Sequence, residues 1–488
     1  MAVTSRRGSR RLTFTVLAAG AGFFAMLQSL INPVLPTIQH DLHTSQNTVT
    51  WVLTAYLLSA SIFTPILGRV GDMVGKERML VVSLAALALG CLLAAVAPNI
   101  GMLIVARVVQ GIGGAVFPLS FGIIRDEFPA ARVTSAVGAI SAIVAVGGGL
   151  GIVLAGPIVS ALDYRWLFWI PMVVVGLTAV AAYLFVPESP VRNPGRIDWR
   201  ATLLLSGWLV ALLLPISQGT VWGWTSGRVL GLLALAAVLL VGWLVAELRS
   251  ANPLIDMRMM RLPGVWTTNL VALLYGGSMF SLFAFLPQFM QIPTAAGYGF
   301  GASITQAGLL MLPMVVAMFV AGILAGRLES RFPAKAQLAT GAGINVVAAA
   351  LLTVAHDTRW EIVIAGGLVG LAIGLAFASM ANLIVGSVPA SQTGVATGMN
   401  ANIRTIGGAI GAAVVSGVIT AHPQASGLPR EAGFTEGFLV LTVIALAAAI
   451  AALAVPSARR AAAGRRPSAA TVLESELAGE FATIPSTR

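Results

Sequence analysis

Long apolar runs alternate with short polar breaks along nearly all of the 488 residues. These runs predict fourteen membrane-spanning helices, at residues 13–36, 48–67, 79–97, 101–124, 133–161, 165–186, 201–219, 228–248, 264–290, 302–326, 337–355, 361–387, 393–420 and 434–455. Runs such as 230–248 exceed the roughly 18 apolar residues that indicate a span. Strands of a barrel would alternate over about ten residues, so the continuous runs favour helices.

Composition agrees with a bilayer protein. Hydrophobic residues make up 57% of the chain and the mean hydropathy is +0.91, well above the roughly 45–50% apolar content of soluble domains. The net charge of +11 resides in short connections and at both ends, which indicates membrane topology rather than nucleic-acid binding. Cys91 is the only cysteine, so an intramolecular disulfide is excluded.

The distribution of bases predicts the orientation. With the N-terminus inside, 23 of the 29 Lys and Arg residues fall in the tails and cytoplasmic loops, and four fall in outer loops. The positive-inside rule therefore predicts that both termini are cytoplasmic. The first apolar run lacks a convincing cleavage site and is interpreted as an uncleaved span. Arginine strongly outnumbers lysine, as in proteins of GC-rich bacteria, which places the expected location in a bacterial inner membrane.

Residues 68–78 carry five charges between two apolar runs. A similar but less complete repeat of this segment, here called the worn copy, lies 258 positions later, at residues 326–332. Further along, Phe117 and Pro129 match Phe377 and Pro389 at an offset of 260. Duplicated halves are typical of secondary transporters. The predicted organisation is a six-helix bundle (1–190), a two-helix insert (191–262), a second six-helix bundle (263–456) and a disordered polar tail (457–488).

Four signatures resemble the major facilitator superfamily, specifically its fourteen-span branch of drug:proton antiporters. They are the hairpin 68–78 with its approach 51–58, and the segments 107–114, 147–157 and 400–408. The resemblance covers nearly the whole chain. It implies an all-α major facilitator fold, alternating access, and proton-driven export of a hydrophobic drug-like compound or metabolite, an activity associated with antibiotic resistance.

The resemblance also assigns a conformational gate to the hairpin. In the family the corresponding aspartate clamps the cytoplasmic side shut between the halves, and here it is Asp72. The other gate candidates are the bases that could pair with it and the glycines that permit close backbone approach: Arg69, Lys76, Arg78, Gly68, Gly71 and Gly75. Ser330 stands where the worn copy would need an aspartate. The alternative is that these charges are solvated and only anchor the loop inside.

Proton coupling has few candidate residues. Arg107 lies within an apolar span, where an unpaired cation costs roughly 2.5–3.5 kcal/mol, and the resemblance makes it part of coupling; a structural arginine satisfied by carbonyls is the alternative. All eighteen acids fall in loops, tails or span ends, and Gln28 stands where the branch often carries an aspartate. Asp72, Asp126 and Glu127 at the cytoplasmic rim are therefore the acid candidates, or coupling is absent.

The fifth predicted span contains the antiporter motif, whose expected small or helix-bending residues are Gly147, Gly151, Gly156 and Pro157. Small residues permit close helix contact and rocking. Ile152 stands where the family expects proline. This departure weakens the inference, drawn from this motif, that the protein is an antiporter.

Polar residues on helices that face the central cavity in this fold are the substrate-cavity candidates: Gln28, Asn32, Tyr56, Gln110, Asn269, Tyr275, Gln288, Gln291, Gln306 and Arg404. Methionines such as Met279 offer adaptable apolar contacts. A cavity without acids favours a neutral or anionic amphipathic substrate over an obligate cation.

No enzyme signature or phosphate-binding loop is present outside the apolar spans. We therefore expect no catalytic activity, cofactor, metal or nucleic-acid partner, and a monomer whose partners are a small hydrophobic substrate, protons and the bilayer. Two alternatives stay open. One is an uncoupled facilitator or importer of the same fold, and the other is a membrane sensor or scaffold that has lost transport.

Overall fold

The computed structural model describes residues 9–189, 198–250, 253–329, 331–421, 424 and 428–456. Within these ranges the protein consists of helices and connecting turns, and it contains no strand. Fourteen helical segments of this described part are long and apolar enough to cross a membrane. The predictions of an all-α fold and of fourteen spans are confirmed. The predicted tail 457–488 lies outside the described residues.

The helices are numbered in chain order. The first bundle contains α1 (Arg10–Ser29), α2 (Leu35–Asp41), α3 (Gln46–Val49), α4 (Trp51–Val74), α5 (Lys76–Ala95), α6 (Ile100–Gly111), α7 (Val116–Glu127), α8 (Ala130–Ala161) and α9 (Trp166–Phe185). The insert contains α10 (Trp199–Trp222) and α11 (Gly227–Arg249). The remaining helices are α12 (Met257–Met260), α13 (Pro263–Gln291), α14 (Ile304–Leu328), α15 (Ala334–Val354), α16 (Arg359–Ser387), α17 (Thr393–Ile419) and α18 (Glu431–Ala454).

Two spans are broken helices. The first span joins α1 to α2 through a 3-10 turn at Asn32–Val34, where Pro33 and Pro36 supply no backbone N–H to continue the helical ladder. The fourth span joins α6 to α7 through a 3-10 turn at Ile112–Ala115. Glycines surround that turn, and they weaken a regular helix.

The charged hairpin is almost entirely helical, which corrects the predicted span limits of 67 and 79. Helix α4 continues to Val74 and α5 begins at Lys76, because the polar side chains beyond the apolar run are buried in the bundle instead of ending the helix. Only Gly75 turns the chain, with φ of 140°. Residues with a Cβ rarely adopt this conformation.

The bundles meet along a few helices. In the first bundle α8 packs on α1, α9 on α5, and α6 on α4; in the second, α16 packs on α14, α17 on α13, and α18 on α15. Between the bundles, α8 contacts α14 and α16, while α4 and α7 contact α17. These four helix pairs surround the central space that contains the candidate site.

The inserted helices are docked on both bundles. Helices α10 and α11 pack on each other, and α10 also contacts α4 and α17. The Ser217 and Thr54 hydroxyl oxygens lie 2.8 Å apart, and Gln218 donates to Thr54 at 3.3 Å. Glu247 of α11 accepts hydrogen bonds from the Trp243 indole at 3.1 Å and the Ile255 backbone at 3.3 Å. The insert is thus fixed by polar contacts at both of its ends.

Candidate functional site

A buried lysine lies between two carboxylates at the end of the molecule that carries residues 68–78, here called the hairpin end. Lys76 Nζ lies 2.6 Å from Asp126 Oδ2 and 3.5 Å from Asp72 Oδ1. The side chains of these three residues are at most 1% exposed. Ser189 donates a hydrogen bond to Asp126, and the buried Arg69 faces Asp72. Because the cluster is shielded from water, a change of one proton there alters strong interactions.

Asp72 links the two bundles. Its carboxylate faces the backbone N–H of Val395 in the first turn of α17. The positive end of a helix attracts a carboxylate by about 0.3–1 kcal/mol, and by up to about 2 kcal/mol when the pair is partly buried. The backbones are close here, since a Cβ built on Gly68 would lie 3.2 Å from the carbonyl oxygen of Gly394. The hairpin end is therefore closed by contact between α4 and α17.

Arg125 makes a second contact between the bundles that the sequence interpretation missed. Its Nη1 donates to Val385 O at 2.5 Å, near the end of α16, and to Thr393 Oγ1 at 2.9 Å, at the start of α17. From the sequence alone, Arg125 was counted only among the basic residues that predict the membrane orientation. The available signal is its position in an Arg-Asp-Glu triplet that also contains the candidates Asp126 and Glu127.

The polar segment after α9 packs against the outside of the hairpin. Arg78 Nε lies 3.5 Å from Glu188 Oε2, and the arginine side chain is 62% exposed. Glu188 also fills the space beside Gly75, where a Cβ would lie 2.5 Å from its carboxylate oxygens. Glu127 is half-buried and faces Arg10 of α1, outside the lysine cluster.

The worn copy of the hairpin makes a contact within its own bundle. Glu329 Oε2 accepts a hydrogen bond of 2.7 Å from Asn382 Nδ2. Burial raises the pKa of Glu329 to about 7, against the smaller lowering effect of this hydrogen bond. Glu329 therefore ties the end of α14 to α16. Ser330, the position that lacks the aspartate, lies outside the described residues.

Arg107 is enclosed between α4 and α6. It is fully buried; its Nε donates to Val52 O at 3.1 Å and its Nη1 to Gln110 Oε1 at 2.5 Å. The guanidinium lies 4.0 Å from the centre of the Tyr56 ring, while Nη2 has no hydrogen-bond partner in the described part of the chain. A carbonyl, an amide and an aromatic face are the partners of a structural arginine. This geometry favours a role in holding α6 against α4.

The antiporter-motif helix α8 is packed between the two bundles. A Cβ on Gly151 would lie 2.5 Å from Met26 O of α1, and one on Gly156 would lie 2.7 Å from the Thr305 backbone nitrogen of α14. Gly147 also faces α1. Pro157 lies inside the continuous helix Ala130–Ala161. The small residues of this motif therefore permit close contact with both bundles, including the helix pair that must slide if the bundles rock.

A cavity of about 100 Å³, measured as the space open to the centre of a water molecule, lies between the bundles. Its apolar wall includes Phe24, Phe117, Met279, Phe280, Phe283 and Phe377, and its polar groups include Gln28, Asn32, Asn402, Arg404 and Thr405. A second, smaller cavity shares Phe117, Phe377 and Arg404 with it. A mostly apolar recess with a few convergent polar groups is the usual form of a small-molecule site.

Three of the ten cavity candidates, Gln28, Asn32 and Arg404, line this cavity. The other seven do not line it. Tyr56 and Gln110 contact Arg107, Asn269 accepts a hydrogen bond from Asn400, and Gln291 donates to Pro287 O. Gln306 caps α14 with Ser303, Tyr275 is fully buried in α13, and Gln288 is exposed. A polar residue on a cavity-forming helix can face either the cavity or a neighbouring helix. The pattern of apolar residues in a membrane protein does not distinguish these two orientations.

Asn402 is a buried cavity residue that the sequence interpretation missed. It is 2% exposed and lines the cavity. Neither its Oδ1 nor its Nδ2 has a hydrogen-bond partner among the described residues. Its place within the segment 400–408 was a signal, because that segment contributed to the resemblance and also contains Arg404.

Comparison with known proteins identifies the class. The model of the Major Facilitator Superfamily matches residues 17–412 and 268–483. Multidrug transporter protein MdtP of Bacillus subtilis is 27% identical over 86% of this chain and 77% of that protein. Tetracenomycin C resistance and export protein of Streptomyces glaucescens is 28% identical over 85% and 77%. The probable actinorhodin transporter of Streptomyces coelicolor is 29% identical over 83% and 72%.

A solved structure agrees with the fold. The human organic anion transporter MFSD10 superposes with a TM-score of 0.66 over 91% of this chain and all of that chain, at 16% identity. The protein is thus a helical membrane transporter and not an enzyme. The chain belongs to the major facilitator superfamily, as the hairpin, the two bundles and the cavity between them indicate.

Proposed function

We propose that this protein exports a hydrophobic, drug-like compound by alternating access, with proton entry as the driving force. The observation that carries the proposal is the combination of a closed hairpin end and a central cavity between two bundles. In this mechanism the bundles rock about the cavity and expose it to one side of the membrane at a time. A relative named as a resistance and export protein supports the direction of transport.

The buried cluster of Lys76, Asp72 and Asp126 supports proton coupling. A proton that neutralises Asp72 would remove its attraction to the first turn of α17. Neutralisation of Asp126 would weaken the hold on Lys76, which lies beside Asp72. Either event favours separation of α4 from α17 and opening of the hairpin end. The proton would then affect the gate directly, without a carboxylate in mid-membrane.

The hairpin end is assigned to the cytoplasmic side, with both termini, because 23 of the 29 basic residues lie in the tails and on that side. The expected membrane is the bacterial inner membrane. One chain contains both bundles and the cavity, so the proposed working unit is a monomer. The structure then has the conformation in which the cytoplasmic gate is closed.

Inverted membrane vesicles test this function. With tetracenomycin C as the probe, vesicles that contain the protein should accumulate the compound when their interior is acidic, and collapse of the pH gradient should abolish accumulation. Vesicles with the empty vector are the control. Absence of uptake for this probe and for ethidium as a second, cationic probe would contradict export.

An uncoupled facilitator is the second candidate, because none of the described residues that line the central cavity is an acid. It predicts downhill flux of the same size with and without the gradient. A transport-inactive sensor or scaffold predicts no flux in either condition. Gradient-dependent accumulation is the outcome that separates the proposed antiporter from both alternatives.

A further inference from the structure

The central cavity contains an isolated positive charge. Arg404 lines both the main and the smaller cavity. Among the described residues, no carboxylate lies within ion-pair distance of it, and neither cavity wall includes an acid. An ionisable side chain within a membrane-spanning helix requires a partner or water. Within the described part of the chain, the walls of this cavity supply no partner of opposite charge.

The position of Arg404 is fixed by its surroundings. Helix α17 contacts α13 so closely that Gly276 of α13 lies directly against the backbone carbonyl of Arg404. The guanidinium lies 4.4 Å from the centre of the Phe377 ring, and Nη1 lies 3.5 Å from Asn400 Oδ1, a long hydrogen bond. The cation–π contact with Phe377 restrains the guanidinium, and among the described residues its one hydrogen bond is the long one to Asn400.

A second polar group faces the same cavity. Asn402 is buried, and both its donor and its acceptor lack a hydrogen-bond partner in the described part of the structure. Buried amide groups without partners are rare and costly. Arg404 supplies unused hydrogen-bonding capacity beside an apolar wall that includes Phe280 and Phe283, and Asn402 adds a buried amide two positions away on the same helix.

We infer that Arg404 forms an anion subsite that binds an ionised acidic group of the transported compound, while the phenylalanine wall holds its apolar ring system. The inference rests on the proposed export function and specifies its substrate class as hydrophobic organic anions, such as ring systems with a carboxylate or a phenolate. The planar guanidinium suits such oxygens because it can donate two parallel hydrogen bonds. A cationic compound would meet an uncompensated like charge.

The subsite is tested by equilibrium binding to the purified full-length protein in nanodiscs, which needs neither a gradient nor transport. Three fluorescent probes share one ring system and differ in charge: pyrenebutyrate, pyrenebutanol and a pyrenebutyl trimethylammonium salt. Wild-type protein should bind the carboxylate about ten-fold or more tightly than the alcohol, and the cation most weakly. Tighter binding of the cation than of the carboxylate would overturn the inference without any variant.

Substitutions then locate the effect. Arg404→Gln should abolish the preference for pyrenebutyrate over pyrenebutanol, while Arg404→Lys should keep part of the preference. Arg359→Gln, which removes an exposed arginine at the start of α16, is the charge-matched control and should change neither affinity. An unaltered preference in Arg404→Gln refutes the subsite. A preserved wild-type preference with no vesicle transport would refute export and leave the subsite standing.

Discussion

The ammonium group of Lys76 on α5 lies 2.6 Å from a carboxylate oxygen of Asp126 on α7, and neither side chain is more than 1% exposed. Three helices of the first bundle meet at this pair, because Asp72 of α4 lies 3.5 Å from the same nitrogen. A buried cation with two acids is costly to disrupt, since removal of one partner leaves the others uncompensated. The first prediction concerns this lysine.

Lys76→Met should destabilise the protein by about 3–5 kcal/mol, because it leaves Asp72 and Asp126 buried without their shared base. Thermal unfolding in detergent, followed by size-exclusion chromatography, measures the change. Arg78→Gln is the control: it removes an exposed base of the same hairpin, and surface pairs contribute about 0–1 kcal/mol. Equal losses in the two variants would contradict the importance of burial.

Asp72→Asn should loosen the gate. Loss of a charge–helix attraction of up to about 2 kcal/mol corresponds to a change of up to about thirty-fold in the population of the open gate. In a Cys91→Ala background, a cysteine at Ser141, which lines the smaller cavity, should react faster with a maleimide from the hairpin side. Gradient-driven uptake should fall in parallel.

Asp163→Asn provides the matched control for the gate, because Asp163 is an exposed carboxylate between α8 and α9. It should leave both labelling and uptake unchanged. If Asp72→Asn labels at the wild-type rate and transports normally, Asp72 does not clamp α17.

Glu329 gives the protein a pH-dependent stability. Burial raises the pKa of Glu329 from 4.5 to about 7, so the folded protein holds a proton that the unfolded chain releases at lower pH. The contribution is fully present below pH 4.5 and is lost as the pH rises toward 7. Glu329→Gln should remove the part of the stability loss between pH 4.5 and 7 that comes from Glu329. Thermal unfolding midpoints between pH 4.5 and 8 measure it.

The control for the pH series is Glu436→Gln, which changes an exposed carboxylate on α18. Its profile should parallel that of the wild type. A Glu329→Gln protein that loses stability with the same slope as the wild type would show that another group is responsible.

Gly75→Ala should destabilise the hairpin by about 1–3 kcal/mol. A non-glycine residue is strained at φ of 140°, and the added Cβ would lie 2.5 Å from the carboxylate of Glu188. Gly176→Ala is the matched control, because a Cβ at Gly176 would meet no atom within 4 Å. In the helix α9 it should be neutral or slightly stabilising. Unfolding midpoints for the two variants should therefore move in different directions or by clearly different amounts.

The sequence predicted the number and type of the spans well, because twenty apolar residues in a bilayer have few alternatives to a helix. The predicted first and last residues of the spans were less accurate where helices continue past the apolar run. Asp72 and Lys76 extend α4 and α5 because their charges are compensated inside the bundle, and that compensation comes from Asp126, a residue 50 positions away. Local hydropathy contains no information about such a partner.

The candidate site was predictable only in part. Arg404, Gln28 and Asn32 line the cavity, whereas Tyr56 and Gln110 contact Arg107 instead. Both sides of a helix can be apolar in a membrane protein, so a polar residue does not by itself indicate which side faces the cavity. Arg125 and Glu188 were missed for another reason. The partners of Arg125 lie in the second bundle, and Arg78, the partner of Glu188, lies 110 positions earlier in the chain.

Helix α17 connects the gate at Asp72 with the cavity at Arg404. It is continuous from Thr393 to Ile419, and Val395, which faces Asp72, is nine positions from Arg404, or roughly 14 Å along the axis. If α17 moves along with its first turn as a rigid helix, withdrawal from Asp72 also displaces Arg404. By thermodynamic reciprocity, a proton on Asp72 that shifts α17 changes the affinity for the substrate by the same factor as the substrate changes the affinity for the proton. One continuous helix can therefore transmit the change at the gate to the anion subsite, with no relay of intermediate side chains.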